Sequence, residues 1–335
     1  MRRIMAGILL TTMLLAAGCA GQPPASGGQE SQTATSAAQP ETAARPSETV
    51  PDREVIAGTG KILNGAYGAH ERNTFDLYLA QTDRPAPLVI YIHGGGFVSG
   101  SKEQLSEADR ERCLDNGISF ASINYPFFMH KPLQDILKDI ARAVQYFRYM
   151  AAEYHIDPDR ISCYGESAGA GASLFLAAKP DMADPDSSDP VLRQSTRLFA
   201  AGLYDTQSTY DFYQWPELLG IPMEAGLFLQ QRLGLPMSLL YGTPAEGAAD
   251  YESGEIAAIR EFLDMTAELS PDDCPLYIRS TVAADNAVDI LHAQVYSRTV
   301  YQVCRQNGIE AELSTPEQPC VVPDFLSFLL ERLDA

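Results

Sequence analysis

Positive charge is scarce in this chain: 24 Lys and Arg stand against 44 Asp and Glu, a formal net charge of −20 at pH 7. Such a surface repels a phosphate backbone, which removes nucleic acid from the expected partners. It repels an anionic membrane surface as well, so any membrane attachment has to come from a lipid or an apolar segment. Apolar runs are short; the run from Ile4 to Ala17 is too short to span a bilayer comfortably. Histidine is scarcer still, with five residues in 335, at His70, His93, His130, His155 and His292. The cysteines match no metal-binding spacing, and no internal repeat is visible.

What is present begins with an export signal. Arg2 and Arg3 precede the apolar run, and Leu15-Ala16-Ala17-Gly18-Cys19 supplies small residues before a cysteine. This ending resembles a bacterial lipobox, which implies cleavage after residue 18, diacylation of Cys19 and an extracytoplasmic protein held to a bacterial membrane by its lipid alone. An ordinary secretory peptide with an incidental cysteine is the alternative. Loss of residues 1–18 removes Arg2 and Arg3, so a charge of −20 becomes about −22 by subtraction. Residues 19–54, rich in Gln, Pro, Ser, Thr, Ala and Gly, bury too little to offset their ordering entropy and are expected to form a flexible tether. Residues 55–335 then suffice for one catalytic domain with a single large core. Of the cysteines in that domain, Cys304 and Cys320 are a candidate disulfide, with buried inert thiols as the default for the rest.

Apolar runs bounded by turn residues alternate with helical stretches, the pattern of a mostly parallel sheet covered by helices on both faces. Strands are expected at Phe75–Leu79, Leu88–Ile92, Ile118–Asn124, Ile161–Tyr164, Leu198–Leu203, Leu276–Val282 and Ile309–Leu313. Leu133, Ile136, Leu137, Ile140, Val144 and Phe147 fall at helical spacing, as do Val295, Thr299, Val300 and Val303 before Gly308. A last helix runs from Asp324 to Leu333, after Pro323. The stretch 206–273 is too long for a bare loop and is expected to be a helical cap over the ligand-binding edge of the sheet.

Two segments carry chemistry. Gly165-Glu166-Ser167-Ala168-Gly169 follows the strand Ile161–Tyr164 and precedes a helix of small residues, Ala170 to Ala178. A serine in a tight strand-to-helix turn needs small neighbours and is exposed above the sheet, with the amino end of the next helix at the reacting centre. The second segment, His93-Gly94-Gly95-Gly96-Phe97, directly follows the apolar strand Leu88–Ile92. Glycines let a backbone come close to a substrate oxygen and aim N–H groups at it.

These segments, with Asn124-Tyr125, Asp139, Ala143 and Ile156-Asp157-Pro158-Asp159-Arg160-Ile161, resemble the α/β-hydrolase esterases, in particular the hormone-sensitive-lipase-like and bacterial carboxylesterase group. The likeness covers roughly residues 65–180. It implies the α/β-hydrolase fold, Ser167 as nucleophile, an oxyanion hole from the N–H groups of Gly95, Gly96 and Ala168, a structural His93, and no metal or cofactor. It also places the carboxylate just after the strand Leu276–Val282, where Asp285 fits and Asp289 is the second choice. The base of that group stands in the loop after the final strand, here Ser314 to Pro323, and this loop has no histidine.

The remaining histidines are therefore weighed by place. His70 and His155 are expected away from the carboxyl ends of the strands, where ligands bind. His130 follows the strand Ile118–Asn124 and could reach the rim. His292, seven residues after Asp285, lies in the loop next to the usual one and is the preferred displaced base. The resulting expectation is a serine esterase acting on small or acetylated esters through an acyl-enzyme at Ser167, with His292 and Asp285 moving the proton. The rivals are a binding protein that kept the fold and lost the chemistry with the histidine, and a peptidase or thioesterase on the same scaffold.

Overall fold

The computed structural model describes residues 54–56, 60–224, 228, 231, 234, 240–242, 254–286 and 288–334. The expected export signal, Cys19 and the tether up to residue 53 lie outside the described residues, as does much of the expected cap between 225 and 253.

Among the described residues nine strands form one sheet: β1 (Glu54–Ile56), β2 (Lys61–Ala66), β3 (Thr74–Tyr78), β4 (Ala86–Ile92), β5 (Ser119–Ile123), β6 (Ile156–Glu166), β7 (Ala201–Tyr204), β8 (Leu276–Arg279) and β9 (Ala311–Ser314). Their order is β1-β2-β3-β5-β4-β6-β7-β8-β9. The first three pairings are antiparallel, and every pairing from β5 to β9 is parallel. Strands β4 and β5 are apolar and buried almost throughout, as strands covered by helices on both faces must be.

Register decides what this sheet can do. Ile92 pairs with both Ile123 and Gly165, Glu166 with Tyr204, Tyr204 with Arg279, and Arg279 with Ser314. Six parallel strands thus end level with one another, and the segments beginning at His93, Asn124, Ser167, Asp205, Ser280 and Thr315 all leave the same edge. Ligands bind at this edge in open α/β sheets.

The helices follow their apolar spacing. Leu133–Tyr149 buries Leu133, Ile136, Leu137, Ile140, Val144 and Phe147 on one face. Gln294–Asn307 ends at Gly308, whose φ of +74° suits the left-handed cap. Phe325–Leu333 starts on Asp324, whose side chain accepts the Ser327 N–H at 2.7 Å. Within 206–273, short helices cover Trp215–Leu218 and Met265–Glu268, and a longer one covers Gly254–Leu263.

Several expectations need correction. The strand expected to reach Val282 stops at Arg279, because Thr281 turns aside to bond Asp205 through its N–H (2.7 Å) and its hydroxyl (2.5 Å). The two strands centred on 201 and 312 lie one to three residues later than their apolar runs suggested. His70 is not remote from the ligand edge: its ring lies 5.0 Å from that of His130. The reason is the antiparallel start of the sheet, in which Phe75 pairs with Ile123, so the turn before β3 sits at the carboxyl end of β5. Cys304 and Cys320 are not bridged; both are free thiols, and Cys320 lies against the Val322 carbonyl.

Candidate active site

Ser167 occupies the turn between β6 and the helix Ala168–Ala178 with φ 54° and ψ −118°, a conformation that a non-glycine residue adopts only under compulsion. The surroundings supply it. A Cβ on Gly165 would lie 2.4 Å from the Ile92 carbonyl oxygen, and one on Gly169 would lie 1.9 Å from the same atom. Both glycines let the elbow press against β4. The Ser167 N–H donates to Tyr204 O at 2.9 Å, and the Gly171 N–H to Ser167 O at 2.9 Å, which fixes the turn at both ends.

The glycine segment lies alongside. A Cβ on Gly94 would stand 2.9 Å from Glu166 O and 3.6 Å from the Ser167 Cβ. Gly95 (φ 103°), Gly96 (φ 61°) and Phe97 (φ 58°) take three positive φ values in succession. Gly95 O accepts the N–H groups of Val98 and Ser99, each at 3.1 Å, and the Tyr125 hydroxyl donates to His93 O at 2.7 Å. The Phe97 ring is buried against Tyr125, Phe128 and Tyr210, so packing holds the strained backbone in place. Arg72 clamps the outer side through Nε to Tyr125 O (2.8 Å) and Nη2 to Gly100 O (3.0 Å), its guanidinium 3.7 Å above the Phe127 ring. Among the described residues, the N–H groups of Gly95 and Gly96 find no protein acceptor. The Ala168 N–H belongs to the first helical turn, which has no carbonyl one turn back to bond. Gly95 and Gly96 directly follow Gly94, whose Cβ position lies 3.6 Å from the Ser167 Cβ, and Ala168 directly follows the serine.

His292 reaches the serine. Its Nε2 lies 2.8 Å from Ser167 Oγ, and its Nδ1 lies 3.1 and 3.0 Å from the two oxygens of Asp289. An ionised carboxylate only accepts hydrogen bonds, so Nδ1 carries the proton and Nε2 is left to accept from the serine hydroxyl. Asp289 also accepts the N–H groups of Leu291 (3.2 Å) and His292 (3.1 Å), a turn that holds the carboxylate under the ring of the residue three positions on. Burial would raise the Asp289 carboxyl, but the hydrogen bond and charge of His292 outweigh it and hold the group below the usual carboxylate range.

Asp285, the preferred carboxylate from the sequence, is not in this constellation. It is exposed in a turn closed by the Asn286 N–H on Ala283 O at 3.1 Å. Asp289, the second choice after β8, rather than Asp285 is the carboxylate that meets His292. His130 meets His70 and Phe127 rather than the serine, and His93 is fully buried with Nδ1 on Gly94 O at 2.7 Å. Gln207, which the sequence did not single out, donates through Nε2 to Leu291 O at 2.7 Å, next to His292 in the chain. Tyr210 donates to Ala168 O at 3.1 Å, and a Cβ on Gly171 would strike its hydroxyl. Among the described residues no group of His, Cys, Asp and Glu is arranged to hold a metal ion.

Comparison with known proteins agrees with this architecture. Residues 75–221 match the BD-FAE family, an α/β-hydrolase esterase family. A probable isoprenylcysteine α-carbonyl methylesterase of Arabidopsis thaliana, ICMEL1, is 32% identical over 142 residues, 40% of this chain and 28% of that protein. A rice relative of the same name is 30% identical over 153 residues, 44% of this chain and 36% of that protein. The chain thus spans about a third of the curated relatives it matches. Among solved structures, a truncated carbohydrate esterase from gut microbiota superposes with a TM-score of 0.61 at 18% identity, covering 83% of this chain and 99% of that one. A thermophilic esterase of Thermogutta terrifontis, Est2, superposes with a TM-score of 0.55 at 19% identity, covering 85% of this chain and 91% of that one. The sheet order and the serine elbow packed on β4 give this chain the α/β-hydrolase fold, and its elbow and glycine segments lie within the stretch similar to the BD-FAE esterase family.

Proposed function

We propose that this protein is a serine carboxylesterase that forms an acyl-enzyme at Ser167. The observation that carries the reading is the 2.8 Å contact of Ser167 Oγ with His292 Nε2, the ring being held at Nδ1 by Asp289. A serine hydroxyl is a weak nucleophile until a base takes its proton, and this base is oriented for that task. Ser167 Oγ attacks the ester carbonyl carbon and passes its proton to His292 Nε2. The carbonyl electron pair moves to oxygen, where the N–H groups of Gly95, Gly96 and Ala168 receive it. Collapse of this intermediate breaks the bond to the alkoxy group, which leaves as an alcohol with the proton from Nε2. Water then repeats the sequence on the acyl-enzyme and frees the acid and the serine.

The binding-protein alternative was motivated by a histidine-free loop after the last strand; a base from the neighbouring loop removes that motive. Small acyl groups are the substrate class we favour. Supporting this, a carbohydrate esterase is among the structural neighbours, and Est2 is known with propionate and with butyrate bound. The test is pre-steady-state hydrolysis of a short activated ester. A burst of about one equivalent of alcohol, with the acyl group found on the Ser167 peptide, is the expected result. Binding of the ester with neither burst nor adduct would return the protein to the binding class.

For location, we propose export and anchoring through a lipid on Cys19, supported by Arg2, Arg3, the apolar run and Leu15-Ala16-Ala17-Gly18-Cys19. Expressed in a bacterium, the protein should fractionate with membranes, and Cys19→Ser should release it or leave it unprocessed. Equal partitioning of the two would reject the anchor.

A further inference from the structure

The loop from Ser280 to Ala293 carries both Asp289 and His292, and it leaves β8 beside the loop that follows β9. A base on a long loop is a liability, because an error of about 1 Å in its place can cost about 10²-fold in rate. The structure ties this loop down at both ends. At its start, Asp205 holds Thr281, and the Ser280 N–H donates to Ser314 O at 2.9 Å. Near its tip, Gln207 holds Leu291 O, and the Tyr296 hydroxyl donates to Ile290 O at 3.1 Å.

The remaining tie comes from Glu317, in the segment where the resembling esterases keep their histidine. Glu317 Oε1 accepts the Ala284 N–H at 2.9 Å, and its Oε2 accepts Gln294 Nε2 at 2.7 Å. Gln294 is buried, also donates to Val282 O at 3.0 Å, and has its own oxygen held by Arg298 Nε at 2.6 Å. One carboxylate therefore clips together the two stems of the loop, at Ala284 before Asp289 and at Gln294 after His292.

We propose that Glu317 is a positioning residue for the displaced base: the loop after β9, which holds no histidine, supplies the clip that holds Asp289 and His292 against Ser167. This rests on the serine esterase reading above. Glu317 accepts two hydrogen bonds, from Gln294 first and from Ala284, and these pull its carboxyl down to about 2, so it stays an ionised acceptor throughout the neutral range. Its side chain is largely exposed and contributes nothing to the core.

The test compares the whole protein with Glu317→Ala, Glu317→Gln and Ser167→Ala for kcat, KM and melting temperature on one activated ester. The Ala variant should lose about tenfold in kcat with KM and melting temperature nearly unchanged, since the base is displaced and the substrate contacts are not. Gln keeps an oxygen for the Ala284 N–H and loses the acceptor for Gln294, so its kcat should fall between the two. A Glu317→Ala enzyme with full kcat overturns the proposal while Ser167→Ala remains inactive. A fall in kcat that tracks a fall in melting temperature overturns it too, by making Glu317 a general stabiliser. If the unaltered protein turns over no faster than Ser167→Ala, the esterase reading fails and the positioning role fails with it.

Discussion

Asp289→Asn should lower kcat for ester hydrolysis by about 10⁴-fold, the scale seen when the orienting aspartate of a serine hydrolase loses its charge. Asp285→Asn should leave kcat within about twofold, as for an exposed turn residue. The asymmetry follows from the tautomer. With Asp289 ionised, His292 keeps its proton on Nδ1 and offers Nε2 to the serine at 2.8 Å. An asparagine can present its amide N–H to Nδ1, which drives the proton to Nε2, where it faces the hydroxyl it should accept from. The positive charge that develops on the ring also loses its counter-ion. Ser167→Ala and His292→Ala set the floor, about 10⁶-fold below the unaltered protein and no lower when combined, since the two groups act as one unit. The measurement is kcat at neutral pH for the single variants and the Ser167→Ala/His292→Ala double. A damaging Asp285→Asn with a harmless Asp289→Asn would mean that the loop takes another conformation in the working enzyme.

The sequence announces this site unevenly, for physical reasons. The elbow and the glycine segment are legible because their constraints are local: Gly165, Gly169 and Gly94 are small where β4 and β6 touch, and each belongs to a recognisable strand edge. His292, the proposed base, can be found by elimination among five histidines. Its carboxylate was assigned by distance from a strand end, and that signal does not separate Asp285 from Asp289. The Asp-x-x-His spacing does, because an aspartate that accepts the N–H groups two and three residues on lies beneath the ring of the third. Nothing local marks Asp205, Gln207 or Glu317, whose partners are 76, 84 and 33 residues away. Two outer strands, β1 and β2, and the helices Glu107–Asp115 and Ala151–Tyr154 are not legible in the sequence either. β2 breaks its alternation with a bulge between Ile62 and Gly65 and a positive φ at Asn64. The helix Glu107–Asp115 buries only Cys113 and shows no apolar face to detect.

Acid should loosen the protein through His93, beginning above the range in which carboxylates titrate. The ring is fully buried and stacked on Tyr125 at 4.1 Å, its Nδ1 meets Gly94 O, and its Nε2 has no partner among the described residues. Burial is the main cause that lowers its pKa from 6.5 to about 4; the Gly94 carbonyl pulls the other way and the Arg72 guanidinium adds to the lowering. The folded state thus holds His93 neutral while the unfolded chain takes up a proton below about 6.5, so the unfolded state binds more protons in this window and stability rises with pH. The contribution is complete above the unfolded value and declines as pH falls toward about 4, below which both states are protonated. At about 1.4 kcal/mol per unit, the loss is on the order of 3 kcal/mol. His70 is lowered as well, by burial first and then by His130, and adds in the same direction. Urea unfolding at pH 7 and at pH 4.5 should therefore show a loss of stability that His93→Asn largely removes, even though the substitution weakens the protein at pH 7 by opening the Tyr125 stack. An equal pH dependence in the two proteins would place the acid sensitivity elsewhere. Because Tyr125 bonds the His93 carbonyl and packs on Phe97, charging this ring strikes the segment that presents Gly95 and Gly96. Within the folded protein the ring charges only near its lowered value of about 4, so damage to that segment should appear there, after stability has already declined.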